Sequence, residues 1–234
     1  MKVYTYYENI YFKHQDRLIN SWKESWQKRG FLPVVLNREN AEANPLCKYF
    51  LESIQDLGKR ISGKEIDIYG LACWLRWLAY SSQPEEKFYV CDYDVINHSF
   101  PVTEPSEELC LLDGDCPCIA SGKPSQFQDL CEKFLKIPND NMEEFIGYYK
   151  KLGFVHYHDQ EFFQVYEKLN IGGILMKRER EVFFSAPSEK DFWKRQIVHY
   201  GHDTCHAYCD QRGIEFDEES RCRIIEEYSK YENR

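Results

Sequence analysis

The chain has 234 residues, 43% of them hydrophobic and 16% aromatic, which is ample for a sizeable core, and its formal charge is −9. There is no basic block, so the broad phosphate-neutralising surface of a nucleic-acid binder is excluded. No apolar run approaches the roughly 18 residues of a membrane-spanning helix, and the first ten residues lack a basic-then-apolar signal pattern, so the expected localisation is cytoplasmic.

Residues 1–7, MKVYTYY, are rich in strand formers and end at the polar pair Glu8-Asn9. Over residues 16–29, Leu18, Ile19, Trp22 and Trp26 recur at helical spacing, and Gly30 suits the position just past a helix end. Residues 31–36, FLPVVL, form a second apolar run. A strand, a helix and a strand in that order predict a parallel pair joined by a right-handed crossover. Residues 37–44 read as a loop and 45–57 as a helix broken over 58–64. Residues 66–80, IDIYGLACWLRWLAY, are apolar nearly all round, the pattern of a mostly buried helix. Arg76 is its one charge after Asp67; a guanidinium there is either a structural salt bridge or a cation orienting nearby carboxylates or a phosphate.

Residues 88–97, FYVCDYDVIN, organise the rest of the chain. Four strand-forming residues run into Asp92 and Asp94, and Val95 and Ile96 follow. An uninterrupted apolar run reads as a strand covered on both faces, and ligands of open α/β sheets gather where such strands end. Two aspartates one residue apart converge on a strand or tight turn, where a divalent cation relieves their repulsion and desolvation. Asp-X-Asp alone is common in solvated loops; its position after FYVC is what makes it informative.

Further on, residues 101–108 are a polar loop, and 109–112 and 117–120 read as strands flanking a turn at Asp113-Gly114-Asp115. Gly122-Lys123 lacks the glycine spacing of a phosphate-binding loop. Helices are expected over 127–135 and 142–152, and a polar cluster, VHYHDQEFF (155–163), opens another helix to Lys168. Residues 171–176 and 182–184 read as strands around a charged turn at 178–181. In IVHYGHDTCHAYC (197–209) a short apolar lead delivers His199, and Gly201, His202 and Asp203 form a turn before a helix. Residues 215–231 close the chain as an amphipathic helix with Ile225, Tyr228 and Tyr231 on its docking face.

The chain has ten cysteines, many single in apolar surroundings (Cys73, Cys91, Cys110, Cys131), the usage of reduced buried thiols. Cys116 and Cys118 are too close for a CxxC site and read as ordinary thiols. His202, Cys205, His206 and Cys209 share one helical face, which cannot easily surround a zinc tetrahedrally.

The ordered set of an arginine-bearing helix (LRWLAY), YVCDYD, HDQEFF and IVHYG resembles the glycosyltransferases of the GT-A fold, with the glycogenin-like retaining type nearest. The resemblance implies a single α/β, Rossmann-like domain with a central, mostly parallel mixed sheet flanked by helices. Residues 1–105 would be its nucleotide-binding half, 106–212 its acceptor half and 213–234 a C-terminal helix. It implies Mn2+ (or Mg2+) held by Asp92 and Asp94, with His199 as the third ligand, and a nucleotide-sugar donor, UDP-sugar favoured. Thr5, Tyr6 and Tyr7 would face the base, and Arg76 and His202 would join the aspartates at the diphosphate. IVHYG is similar to the HF-G element of that family, although the Lys-Pro-Trp that follows it there is absent, so His202 stands in for the distal-phosphate partner. Asp159 and Gln160 match the family's Asp-Gln pair without its Leu-Asn, and with Glu161 they would form the catalytic edge toward a glycan or other hydroxyl acceptor.

Chemistry supports the same donor set. Sugar transfer needs the leaving diphosphate's charge neutralised, which a divalent cation on two carboxylates and an imidazole does. Asp159 and Glu161 are the carboxylates available to take the acceptor's proton. Two other readings stand beside this one. A haloacid-dehalogenase-type phosphatase would use Asp92 as nucleophile, but Val95 replaces its usual glycine and the strand comes late. A non-catalytic nucleotide-sugar-binding domain would keep the fold without turnover.

Overall fold

The computed structural model describes residues 1–10, 13–112, 116–176, 183–184 and 195–229. The expected turns at 113–115 and 178–181, Val182 and Tyr231 lie outside the described residues.

Strand β1 (Lys2–Tyr6), helix α1 (Gln15–Lys28) and strand β2 (Leu32–Leu36) form the anticipated unit, with β1 and β2 parallel from Lys2↔Leu32 to Tyr6↔Leu36. Helix α1 buries Leu18, Ile19, Trp22 and Trp26, as their spacing requires. It stops at Gly30, whose φ of 86° is one that side chains rarely adopt. There Gly30 N donates to Gln27 O and Phe31 N to Trp26 O, the paired bonds of a glycine-terminated helix.

Residues 37–44 are not all loop. Asn37 caps a short helix, α2 (Arg38–Glu42), accepting from Asn40 N while its own N–H donates to the Asn40 side chain. Helix α3 (Cys47–Ser62) runs through Gly58, which was expected to break it. A Cβ on Gly58 would lie 2.6 Å from Ile66 Cγ1, so this glycine permits close packing inside the helix rather than ending it. The helix ends at Gly63, in the left-handed region. Helix α4 (Ile68–Ser81) starts at Asp67, whose side chain accepts from Gly70 N at 2.7 Å, and it buries Trp74, Leu75, Trp77 and Leu78 completely.

Strand β3 (Phe88–Cys91) lies beside β1 in parallel, and β6 (Ile119–Gly122) pairs antiparallel with its other edge. Adding β5 (Cys110–Leu111) and β7 (Leu175–Met176) gives a six-stranded sheet in the order β2-β1-β3-β6-β5-β7. Three of its five pairings are parallel, so the fold is α/β with a mostly parallel mixed sheet. Both faces are covered, and side chains alternate between them. Tyr4, Tyr6, Phe88 and Val90 join a core with α3, α4, α5 (Pro124–Asp140), α6 (Met142–Lys151) and α7 (Asp159–Leu169). Val3, Tyr89 and Cys91 join one with α1, α8 (His202–Asp210) and α9 (Glu218–Ser229). Ile225 and Tyr228 are buried there, on the docking face expected of the last helix.

One feature was not foreseen. FYVCDYDVIN is two strands in two sheets: after the aspartates, β4 (Val95–Asn97) pairs antiparallel with β9 (Ile197–His199), and β8 (Phe183–Phe184) completes a separate three-stranded sheet.

Candidate active site

The change of sheet makes the site. Between β3 and β4 the chain turns at Asp92-Tyr93-Asp94, closed by Val95 N donating to Asp92 O at 3.1 Å. Helix α1 pins both flanks of this turn: Trp22 Nε1 donates to Cys91 Sγ at 3.2 Å and Trp26 Nε1 to Val95 O at 3.0 Å. Truncating either tryptophan to alanine would remove a buried indole, at about 3–5 kcal/mol, together with a donor that fixes the turn. The β4–β9 register then sets His199 opposite Val95, and Tyr200 N donates to Asp94 O at 2.9 Å.

Asp92, Asp94 and His199 consequently offer three ligand atoms within 4.8 Å of one another at the carboxyl end of β3. Asp94 Oδ1 is buried and makes no hydrogen bond among the described residues; His199 Nε2 stands 3.4 Å away. A buried carboxylate oxygen facing an imidazole, beside a second carboxylate, fits a divalent cation. Burial pushes the Asp92 carboxyl up to about 7; Arg76 opposes that shift and Asp94 adds to it. Burial also acts to raise Asp94, but His199 and Arg221 outweigh it and hold the carboxyl below its ordinary value. Burial would lower His199, yet Asp94 and then Cys116 hold it well above the usual imidazole range.

Arg76 lies near the middle of α4 and is 9% exposed. It bridges two carboxylates. Nη1 donates to Asp92 Oδ1, while Nε and Nη2 reach Asp159 Oδ2 at 2.8 and 2.6 Å. Trp77 Nε1 donates to that same Oδ2 at 2.7 Å. Asp159 is buried at the first position of α7, so this helix is tied to the aspartate turn through a single guanidinium.

Gln160 is exposed and Glu161 half-buried on the first turn of α7. Glu161 Oε2 accepts from His158 N at 2.9 Å, and burial raises its carboxyl pKa against the pull of His158. Tyr7 meets Tyr93 edge to face, with centroids 5.9 Å apart, and Gln15 Nε2 donates to Tyr93 OH at 2.9 Å. Tyr6 is buried and donates to Glu8; Thr5 is fully buried. His202 is not brought into the cluster of metal-capable donors among the described residues; its half-exposed ring packs edge-on against Phe216 at 4.8 Å. Cys205 and Cys209 are buried in the core, and His206 pairs with Asp210.

No family model matches the chain, nor does any curated protein. Solved structures resemble it in overall shape. One is the galactosyltransferase LgtC in complex with donor and acceptor sugar analogs, with a TM-score of 0.48 and 11% identity over 100% of this chain and 95% of that one. An active-site mutant of LgtC has a TM-score of 0.42 and 10% identity over 95% and 99% of the two chains. The apo-form glycosyltransferase GlyE of Streptococcus pneumoniae TIGR4 has a TM-score of 0.49 and 12% identity over 97% of this chain and 63% of its own. The chemistry of the site rests on this chain's own residues.

Three residues beside the candidate site are not singled out for it by the sequence. Arg221, on α9, is 5% exposed; its Nη2 donates to Asp94 Oδ2 and its Nε to Tyr200 O at 3.2 Å. The legible signal was its phase, four residues before Ile225 and seven before Tyr228, on the face that docks. Cys116 and Cys118 stand beside His199 rather than apart as ordinary thiols. A hydrogen bond from Cys118, and then His199, hold the Cys116 thiol well below its usual range despite burial. Their own odd-even spacing, the same as that of Asp92 and Asp94, was the clue.

Proposed function

We propose that this protein is a divalent-metal-dependent glycosyltransferase that moves a sugar from a nucleotide-diphosphate sugar, UDP-sugar favoured, to a glycan or other hydroxyl acceptor, with retention. The observation that carries the reading is the Asp92, Asp94 and His199 donor set at a strand end, with His199 Nε2 3.4 Å from a buried oxygen of Asp94. The likeness of YVCDYD, HDQEFF and IVHYG to glycogenin-like motifs supplies the reaction class.

Asp92, Asp94 and His199 would hold Mn2+ or Mg2+. When bound, that cation offsets the charge developing on the leaving diphosphate. The rest of the work is the chain's own. Asp159 and Trp77 fix the Arg76 guanidinium, which fixes Asp92 and adds positive charge beside the diphosphate. Asp159 is thus assigned to positioning. Gln160 and Glu161, on the same helical turn, would form the acceptor edge, and Glu161, its pKa raised by burial, is the carboxylate suited to take the acceptor's proton. Tyr7 and Tyr93 offer the aromatic surface on which a base stacks.

A panel of nucleotide-sugars with and without manganese tests this reading. The expected result is one donor that raises the melting temperature only with the metal, by the equivalent of about 2.7 kcal/mol at a hundred times its Kd. Slow manganese-dependent hydrolysis of that donor should accompany it. Binding without hydrolysis or transfer would establish the non-catalytic reading instead.

A further inference from the structure

Cys116, Cys118 and His199 place two sulfurs and one ring nitrogen within 4.8 Å of one another. Backbone pairing fixes this geometry. Asp92 N donates to Cys118 O at 2.8 Å, one step beyond the Cys91↔Ile119 pair of the β3–β6 ladder. Cys118 therefore sits across from Asp92 just as His199 sits across from Val95. Cys118 is completely buried and Cys116 half-buried, so both sulfurs are largely sheltered from solvent.

We propose that Cys116, Cys118 and His199 form a second cation site, selective for thiophilic divalent ions of the zinc class, which shares its imidazole with the Asp92–Asp94 site. Ligands about 2.0–2.3 Å from a tetrahedral zinc stand roughly 3.3–3.8 Å apart, so three atoms already within 4.8 Å need only a small closure. Two thiolates and an imidazole form a soft donor set, and two carboxylates with the same imidazole form a hard one. The fourth position would be left to solvent, since Asp94 groups with Asp92 and His199 and not with the two sulfurs.

Sharing has a consequence. Each site needs His199, and two dications held that close together repel, so a thiophilic ion excludes the hard one. A zinc-class ion would then act as an inhibitor that removes the metal serving the diphosphate, with Cys116 and Cys118 as its sensors. This last step rests on the metal reading of Asp92, Asp94 and His199; the soft site itself does not.

The test uses the full chain, kept reduced, with Co2+ as the spectroscopic probe. One equivalent of cobalt should produce thiolate-to-cobalt charge-transfer absorption, and an equivalent of zinc should abolish it. The double variant Cys116→Ser/Cys118→Ser, and the milder Cys116→Ser alone should the double variant not fold, should lose that absorption. Both should still bind manganese, read by the loss of the free-ion paramagnetic resonance signal. Asp94→Asn should show the reverse, losing manganese and keeping cobalt–thiolate absorption. In the wild-type protein, one equivalent of zinc should release bound manganese. Absence of the absorption, or its persistence in a folded cysteine variant, overturns the soft site. Manganese that stays bound beside an equivalent of zinc overturns the sharing. If the wild-type protein binds cobalt through sulfur but binds no manganese, the soft site stands and the metal reading of the carboxylates falls.

Discussion

Arg221, in the last described helix, donates from Nη2 to Oδ2 of Asp94, a residue 127 positions earlier in the chain. Helix α9 therefore contributes a charge to the candidate metal centre as well as packing against α1 and α8. Asp94 is held by a cation on one oxygen while its other oxygen, without a hydrogen bond among the described residues, lies beside His199.

Removing Arg221 should leave the buried Asp94 carboxylate with only part of its compensation, that from His199. Arg221→Met is expected to lose about 3–5 kcal/mol of unfolding free energy without metal. Manganese should restore part of that loss, because a bound cation supplies the missing positive charge. Urea denaturation with and without manganese measures both quantities. Equal stabilisation of wild type and variant by the metal would show that Arg221 and the cation do not act on the same carboxylate.

The Arg76 bridge predicts coupling between elements far apart in sequence. Trp77→Phe removes a donor to the Asp159 carboxylate and should cost about 1.5–3 kcal/mol. Arg76→Lys cannot reproduce simultaneous contacts to Asp92 and Asp159, so it should weaken manganese binding even though the charge is kept. In a double-mutant cycle, Arg76→Lys and Asp159→Asn should couple by about 1 kcal/mol or more. Additive effects would mean that the bridge is not maintained in solution.

Metal affinity should depend on pH in a direction set by the ligands. Cation binding requires both carboxylates ionised and His199 neutral. Asp92 is raised to about 7 and His199 lies well above the ordinary imidazole range, so each carries a proton that the metal must displace near neutrality. Manganese affinity should therefore rise as the pH increases from about 6 to about 8, with proton release on binding. Calorimetry in buffers of different ionisation enthalpy reads that release directly. A flat profile would place the protons elsewhere.

Much of this was legible in the sequence, and the limits have physical reasons. The β1–α1–β2 unit, the buried Arg-bearing helix and the docking face of α9 follow from local periodicity, which burial then enforces. Asp92 and Asp94 stand out because an apolar run ends abruptly at them, and His199 because IVHYG resembles the HF-G element of glycogenin-like enzymes. What was missed depends on partners distant in the chain. Gly58 reads as a breaker unless Ile66 is known to pack on it. FYVCDYDVIN reads as one strand because nothing local reveals that its second half pairs with β9. Asp159 reads as an available carboxylate until Arg76 and Trp77 are seen on its Oδ2.

That packing can be tested on its own. Gly58→Ala gains helix propensity of about 1 kcal/mol, but its Cβ would meet the Ile66 side chain at 2.6 Å. Net destabilisation of roughly 1–2 kcal/mol is expected, and shaving the neighbour in Gly58→Ala/Ile66→Val should recover part of it. Thermal denaturation of the three proteins is sufficient. A more stable Gly58→Ala would show that the helix shifts to accept the methyl group.

The central claim is that Asp94 holds the cation through which a nucleotide-sugar binds. Isothermal titration of UDP-sugars into Asp94→Asn, with and without manganese, tests it most directly, with near-ultraviolet dichroism confirming an intact core. The expected result is wild-type donor binding that requires manganese and is lost in the variant. Manganese-dependent donor binding of unchanged affinity in a folded Asp94→Asn protein would contradict the assignment of this aspartate to the metal.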